Sequence, residues 1–483
     1  MSTEVDLSNA SSAPVVGDTA DPRRRVASND PDGGAARFDR AGWAAAAISA
    51  GIWFVIGYAR YRNLRAGASD LGIFDQAAWL LAHGHAPFVT SIGINVFADH
   101  VSPVVLAFGP LYRLSATPVW WLAAQAACLG LTVVPMRRLA HELDAPPWLA
   151  TAAVVLSAPL LSAATYDVHP VVLATPAVAW ALLAGRRDDV RAATIAGVLV
   201  ALCRADAVTA LAGVALVSRP AARRRLLLLV PIPLIVGLGV PHLLGTWQTF
   251  GRYYHHLGTG WGDALLHPWR IVGALLARTS LRQIGFWLLP VGFLPLLRLR
   301  WFAALVVAGS PLLVSTWPGI PTPWYHHGAF LVPIATGGAL AVVGRRRSRW
   351  RGAAVGSLLL GAGLGLAFIS PLAANSPGEV RLADAFRRAD PAVAAAIRAV
   401  GPHEGVAAPN SVLGHLGHRR DAYIYPCPFL RLDGHRACHH SNLAGRARRV
   451  DVVVLIGRQR VGALRRLGFV HVEHRDGITI ARR

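Results

Sequence analysis

Apolar runs dominate the chain, and polar residues fall between them in short breaks. Runs of roughly 15 to 20 apolar residues are near the length a helix needs to cross a ~30 Å hydrocarbon core at about 1.5 Å per residue. They predict spans at about 41–58, 118–136, 148–165, 170–184, 226–244, 285–297, 301–317, 328–343 and 353–372. The stretch 192–218 carries "CRAD" in its middle and reads as two short spans. That division keeps Arg219 and Arg223–Arg225 on the same side as the other basic loops, and the total is eleven. The piece 101–112 is too short to cross and contains Pro103 and Pro110, so it reads as juxtamembrane or re-entrant.

The pattern changes after residue 372. "PAVAAAIRAV" has helical spacing, "GVAA" and "AYIY" read as short strands, and "VDVVVLIG" reads as a buried strand. "GALRRLG" reads as a short helix, and "FVHVEH" with "GITIARR" as a closing hairpin. The expected fold is an all-α polytopic membrane protein with a small α/β domain at its carboxyl end. The membrane domain takes 41–372, with a first outer loop at 59–117, and the α/β domain takes 373–483. Residues 1–40 are rich in Ser, Asp, Pro and Gly, lack the apolar core of a signal peptide, and read as a disordered cytoplasmic tail.

Composition agrees with a membrane protein: 54% of residues are hydrophobic and only 15% charged. The net charge of +22 invites a nucleic-acid reading. The basic residues are all Arg, however, and they cluster between apolar runs, which is the positive-inside pattern of cytoplasmic loops. Arg137–Arg138, "RRDDVR" (186–191), "RLR" (298–300) and "RRRSRWR" (345–351) are therefore expected inside, and no nucleic acid is expected as a partner. The amino terminus is then cytoplasmic, and the carboxyl terminus lies outside the plasma (inner) membrane. Of the 19 His residues, only His141 falls in an inner loop. A proton-active outer surface points to chemistry on that face.

The stretch "SDLGIFDQAAWLLAHG" (69–84) holds the most pointed candidates, Asp70 and Asp75. With Ser69 or Asp70 as N-cap, Leu71, Phe74, Ala78 and Leu81 share one helix face and Gly72, Gln76, Trp79 and His83 another. This predicts an amphipathic helix lying flat at the membrane interface, with Asp70 at its positive end and Asp75 about 140° round the axis. Taken alone, Asp70 is a cap and Asp75 a solvent-facing acid. Three further stretches argue for more: "NVFADHVSP" supplies Asp99 and His100, "YDVHP" supplies Asp167 and His169, and "CRAD" supplies Arg204 and Asp206. In the tail, a disulfide between Cys427 and Cys438 suits an oxidising compartment, and a metal site using Cys427, Cys438 and His439 is the alternative.

"DLGIFDQAAW…HG", "DHVSPVVLAFGPLY", "YDVHPVVLATP" and "YHHLG" together resemble a bacterial membrane family known as domain of unknown function 2079, over roughly residues 41–370. That family resembles the GT-C glycosyltransferases, which use lipid-phosphate sugars. The resemblance implies an integral-membrane glycosyltransferase moving a sugar from a polyprenyl-phosphate donor to an envelope acceptor on the outer face. It implies Asp70 as the catalytic base, with Asp75 as the alternative. A base must deprotonate the incoming hydroxyl, and cations or donors must stabilise the departing phosphate. Arg204, Arg252, His255, His256, His326 and His327 are candidates for the phosphate; Trp261, Trp324 and Tyr325 are candidates for stacking on sugars. The family's Lys-Glu-Asp triplet is replaced here by Arg204-Ala205-Asp206, which leaves the need for a divalent metal open. The competing readings are a transporter or flippase of lipid-linked sugars and a non-catalytic envelope-assembly protein.

Overall fold

A computed structural model describes residues 39–483, apart from 100, 245–252, 346–347, 430–442 and 458–460. Five helices are long and apolar enough to cross a membrane: Arg40–Arg62 (α1), Val119–Glu142, Pro220–Leu243, His326–Arg345 and Trp350–Ile369. The pair Pro147–Val155 and Ala158–Thr165, bent by 43°, makes a sixth if it counts as one span. The protein is thus a multi-span, mostly helical membrane protein, and its apolar helices imply contact with a lipid bilayer.

Eleven spans were expected, and by length and composition five or six appear. The others are cut short by Pro, Gly and polar turns. The stretch 285–297 is the end of a helix followed by two 3-10 turns, Leu289–Val291 and Leu294–Leu297, each with a Pro near its start. The stretch 170–184 begins with a single turn, Pro170–Leu173, before the helix Thr175–Arg187. The stretch 192–218 breaks where the sequence suggested: Val190–Cys203 ends at Arg204, a 3-10 turn covers Ala205–Val208, and Thr209–Val217 follows.

Basic loops gather at one end of the bundle. Arg187 pairs with Glu142 at 2.8 Å, the Arg219 amide donates to the Gly185 carbonyl at 2.9 Å, and Arg351 donates to the Asp144 carbonyl at 2.8 Å. The end of α1, the turn 166–169, the turn 325–327 and the carboxyl-terminal domain meet one another elsewhere.

The helix Leu71–Ala82 (α2) forms as predicted, but its surroundings differ from the expectation. Every residue but Trp79 and Leu81 is buried. On its second face Gly72 and Gln76 are covered by protein, Gln76 donating to Thr90 Oγ1 at 2.8 Å and to the Arg419 carbonyl at 3.0 Å, while His83 stays exposed at the end of the helix. Protein therefore encloses a helix expected to float at the lipid boundary. The hairpin β1 (Phe88–Val89) and β2 (Ile94–Asn95) follows it.

The carboxyl-terminal sheet has the order β4-β3-β5-β7-β6. β3 (Val406–Ala408) lies parallel to β4 (Ala422–Ile424) and to β5 (Val452–Ile456). β6 (His471–Arg475) and β7 (Ile478–Arg482) form the expected antiparallel hairpin, with β7 closing on β5. β3 is buried throughout, as a central parallel strand covered on both faces should be.

Candidate functional site

Asp70 stands immediately before α2 in the N-cap position, yet its side chain makes no capping hydrogen bond. Its Oδ2 instead accepts from the Tyr166 hydroxyl at 2.7 Å. Tyr166 follows the helix Ala158–Thr165 in an extended conformation, and Pro170 opens the next turn, so the segment between them displays its side chains from an irregular turn. Burial, then the charges of Asp70 and Asp167, push the Tyr166 hydroxyl well above its ordinary pKa. It therefore keeps its proton and donates it to the Asp70 carboxylate.

The neighbouring acid does different work. Asp167 is buried and accepts from Arg60 Nε at 3.1 Å and from the Gly67 amide at 2.7 Å. Arg60 also donates to the Glu379 carbonyl. A buried carboxylate with a buried guanidinium and a backbone amide is compensated, and removing any one partner would expose the cost of burying the rest. Asp167 thus ties the end of α1 and the approach to α2 to the 166–169 turn.

Imidazoles and phenols complete this group. His169 and His326 are buried and stack with ring centroids 4.0 Å apart and planes 13° apart. His326 also stacks on Tyr166 at 5.6 Å and tilts against His327 at 4.2 Å. Tyr325 meets Tyr166 edge-on at 4.9 Å and donates to Glu379 Oε1 at 2.6 Å. Phe74 of α2 closes the floor, edge-on to His169 at 5.4 Å. Asp70, Asp167, His169, His326 and His327 are thus brought together from three separate stretches.

Asp75 has other company. It is buried, and its Oδ1 accepts from the Tyr112 hydroxyl at 2.6 Å and from His418 Nε2 at 2.8 Å. Burial alone would lower the His418 imidazole, but the Asp75 charge and hydrogen bond outweigh it and hold the group above its ordinary pKa.

The "CRAD" residues form a second group. Arg204 and Asp206 pair at 2.6 Å, and the Ala205 amide donates to the Val101 carbonyl at 2.9 Å, next to the turn Val96–Asp99 that carries Asp99. Both charges act on Tyr254, whose hydroxyl is pushed up first by burial and then by Asp206. His255 and His256 stand exposed on the following turn, their rings 5.9 Å apart. His100, Arg252, Cys438 and His439 lie outside the described residues. Cys427 is disulfide-bonded, whereas Cys128 and Cys203 are free. Among the described residues, no group of three or more His, Cys, Asp or Glu is placed to hold a metal ion.

Sequence reasoning missed Arg60, Tyr166, Glu379, Asn410 and His418. Tyr166 had a signal, since it begins the quoted "YDVHP". Arg60 lies just past the expected first span, 41–58, and outside the quoted motifs, and the last three come from parts of the chain with no local pattern that points at α2.

Residues 60–463 match the family described as "Predicted membrane protein (DUF2079)". The chain belongs to the DUF2079 family. No curated protein matches it significantly. The DUF2079 match begins at Arg60 and runs past β5, so it takes in both the Asp70 group and most of the carboxyl-terminal sheet. It extends beyond residue 370 into the tail, where the resemblance is looser than over the quoted motifs.

Proposed function

We propose that this DUF2079 protein is an integral-membrane glycosyltransferase that moves a sugar from a polyprenyl-phosphate donor to an envelope acceptor at the outer face. The observation that supports this best is the environment of Asp70. A carboxylate at the entrance of a helix is oriented by one protonated phenol, with two stacked imidazoles and a second phenol beside it. Such a group suits a general base for a sugar-acceptor hydroxyl in a single inverting displacement. His326 and His327 adjoin it and are suited to the departing phosphate; Arg204, His255 and His256 are further candidates, as is Arg252, which lies outside the described residues. Asp75 is the weaker candidate for the base, because a phenol and an imidazole already occupy its oxygen. The finer topology belongs to the same proposal: eleven spans counting the short helices, the Arg-lined end cytoplasmic, and the α/β domain outside with Cys427 bonded to Cys438.

Asp70→Asn is the decisive substitution. Asn keeps the shape and can still accept from Tyr166, but it cannot take a proton. Transfer should fall by roughly 100- to 10,000-fold with little loss of folding. The test is lipid-linked sugar profiling of a deletion strain complemented with wild type, Asp70→Asn or Asp75→Asn, alongside expression level and melting temperature. A donor lipid that accumulates in the Asp70→Asn strain supports the reading. A wild-type profile with well-folded Asp70→Asn protein would sink it and favour a scaffold. Loss confined to Asp75→Asn would move the base.

A further inference from the structure

The carboxyl end of β3 is where this α/β sheet changes direction. The chain leaving β3 turns toward β4, whereas the chain leaving β5 goes the other way, to β6 and β7. Open α/β sheets take their ligands in the crevice at such a point. In this protein a segment of the membrane domain is bound there. The Ala68 amide donates to the Asn410 carbonyl at 3.0 Å, and the Ser69 amide and hydroxyl donate to Asn410 Oδ1 at 2.9 and 2.8 Å. Ala68 is 1% exposed and belongs to the apolar core of the sheet itself, with Val406, Ala408, Val412 and Leu413. Asp70 follows two positions later.

The same segment is gripped from the opposite side. Asp167 accepts from the Gly67 amide, and Tyr166 donates to Asp70. The fit is close. A Cβ on Gly414 would come within 2.7 Å of the Ala66 carbonyl oxygen, and one on Gly72 within 3.6 Å of the Gly414 Cα. Residues 67–70 therefore have no slack between the turn 166–167 and the loop that begins at Asn410.

We infer that the carboxyl-terminal domain is a positioning device for Asp70, and that Asn410 is the positioning residue through which it acts. The inference rests on the reading of Asp70 as the reactive carboxylate. Its physical basis is that a hydrogen bond favours the charged carboxylate only while the two groups stay within about 3 Å and in line. Tyr166 sits on the membrane domain; Asp70 keeps its distance to it because Asn410 fixes the two preceding residues. The other titratable and charged groups that face this space are Asp167 and Arg60, Tyr325 with Glu379, and the stacked imidazoles His169 and His326.

The experiment uses the full chain in lipid nanodiscs. A water-soluble carbodiimide with an amine nucleophile modifies carboxyl groups in their protonated form, and mass spectrometry of the peptide carrying Asp70 gives the pH of half-modification. Tyr166→Phe should raise that pH by about one unit, the effect of losing one hydrogen bond to a charged group. Asn410→Ala should raise it similarly, and the double variant should shift no further, since both substitutions remove the same bond. A residue that served folding alone would lower the melting temperature and leave the Asp70 midpoint where it was, and that result overturns the inference. If Asn410→Ala does not fold, Ser69→Ala removes a single donor to Asn410 and should give a smaller shift in the same direction; an unchanged midpoint there overturns it too. Failure to label Asp70 at any pH would close it to solvent and overturn both readings. An Asp70→Asn strain with wild-type lipid-linked sugars, together with a shifted midpoint in Asn410→Ala, would reject the transferase and leave the positioning role standing.

Discussion

At the scale of single residues, two histidines three positions apart face opposite electrostatic problems. His415 lies against Tyr61, rings 4.7 Å apart, and burial drives its imidazole down to about 4 despite the Asp75 charge. His418 is held above its ordinary pKa once the Asp75 charge and hydrogen bond overcome the cost of burial. The signs therefore differ. An imidazole lowered in the folded state binds fewer protons than in the unfolded chain, so His415 costs stability as pH falls from about 6.5 to about 4. The loss reaches up to about 3 kcal/mol. An imidazole raised in the folded state contributes fully below about 6.5, and that contribution is lost as pH rises through its folded pKa. Melting curves of the full chain should thus peak near the ordinary imidazole pKa. His415→Phe should flatten the acid side and His418→Phe the alkaline side; unchanged curves in both would show that this contact does not contribute to stability. The acids and imidazoles of the Asp70 group were legible in the sequence because polar residues stand out among Leu, Ile and Phe. His418 was not, because it meets Asp75 across 343 positions and sits in "LGHLGHRR", a Leu-Gly-His repeat whose period of three marks neither a helix face nor a strand.

At the scale of elements, residue period located all five strands of the carboxyl-terminal sheet, and α2 formed where spacing placed it, although Asp70 makes no side-chain cap. What periodicity could not say was what would cover the second face of α2. The moderately polar residues there, Gly72 and Gln76, suit water, but a Gly-rich loop approaches closely enough to replace it. That closeness is testable. A Cβ on Gly417 would meet Asp75 Oδ2 at 2.8 Å, and one on Gly414 would meet a backbone carbonyl that cannot move aside. Gly414→Ala should therefore cost about 1–3 kcal/mol, the usual range for overpacking a tight contact. Gly462 lies exposed on the short helix Val461–Arg466 with nothing within 4 Å of its Cβ position. Gly462→Ala should be neutral or stabilise by about 0.5–1 kcal/mol. Denaturant unfolding in nanodiscs separates the two. Equal stability would mean that the domain does not press on α2 as tightly as the distances imply.

At the scale of the whole molecule, the arrangement of ends carries more information than the number of spans. Hydropathy counted eleven crossings because it took short apolar runs interrupted by Pro and Gly as full spans; length and composition in the structure support five, or six with the bent pair. These counts differ in parity. An odd number puts the start of α1 and the carboxyl-terminal domain on opposite sides of the membrane, and six puts them on the same side. The contacts favour the odd counts. The loops holding Glu142, Asp144, Gly185, Arg219 and Arg351 meet each other, and the chain breaks at Arg204 between two of them, where Ala205 bonds to Val101 of the first outer loop. The stretch 190–217 must then travel away from the Arg-lined end and return, as two short helices allow. The proposed topology makes that end cytoplasmic, by the positive-inside rule. A periplasmic-type reporter fused after Arg483 should be active and a cytoplasmic-type reporter there inactive, while insertions at 188–189 and at 219–220 should both behave as cytoplasmic. An exported reporter after Arg483 with cytoplasmic behaviour at both internal sites fits the odd counts, five or eleven, and excludes six. Cytoplasmic behaviour after Arg483 would leave six. It would also place Asp70, which the carboxyl-terminal domain grips through Asn410, on the wrong side for an envelope acceptor, and the transferase proposal would fall with the topology.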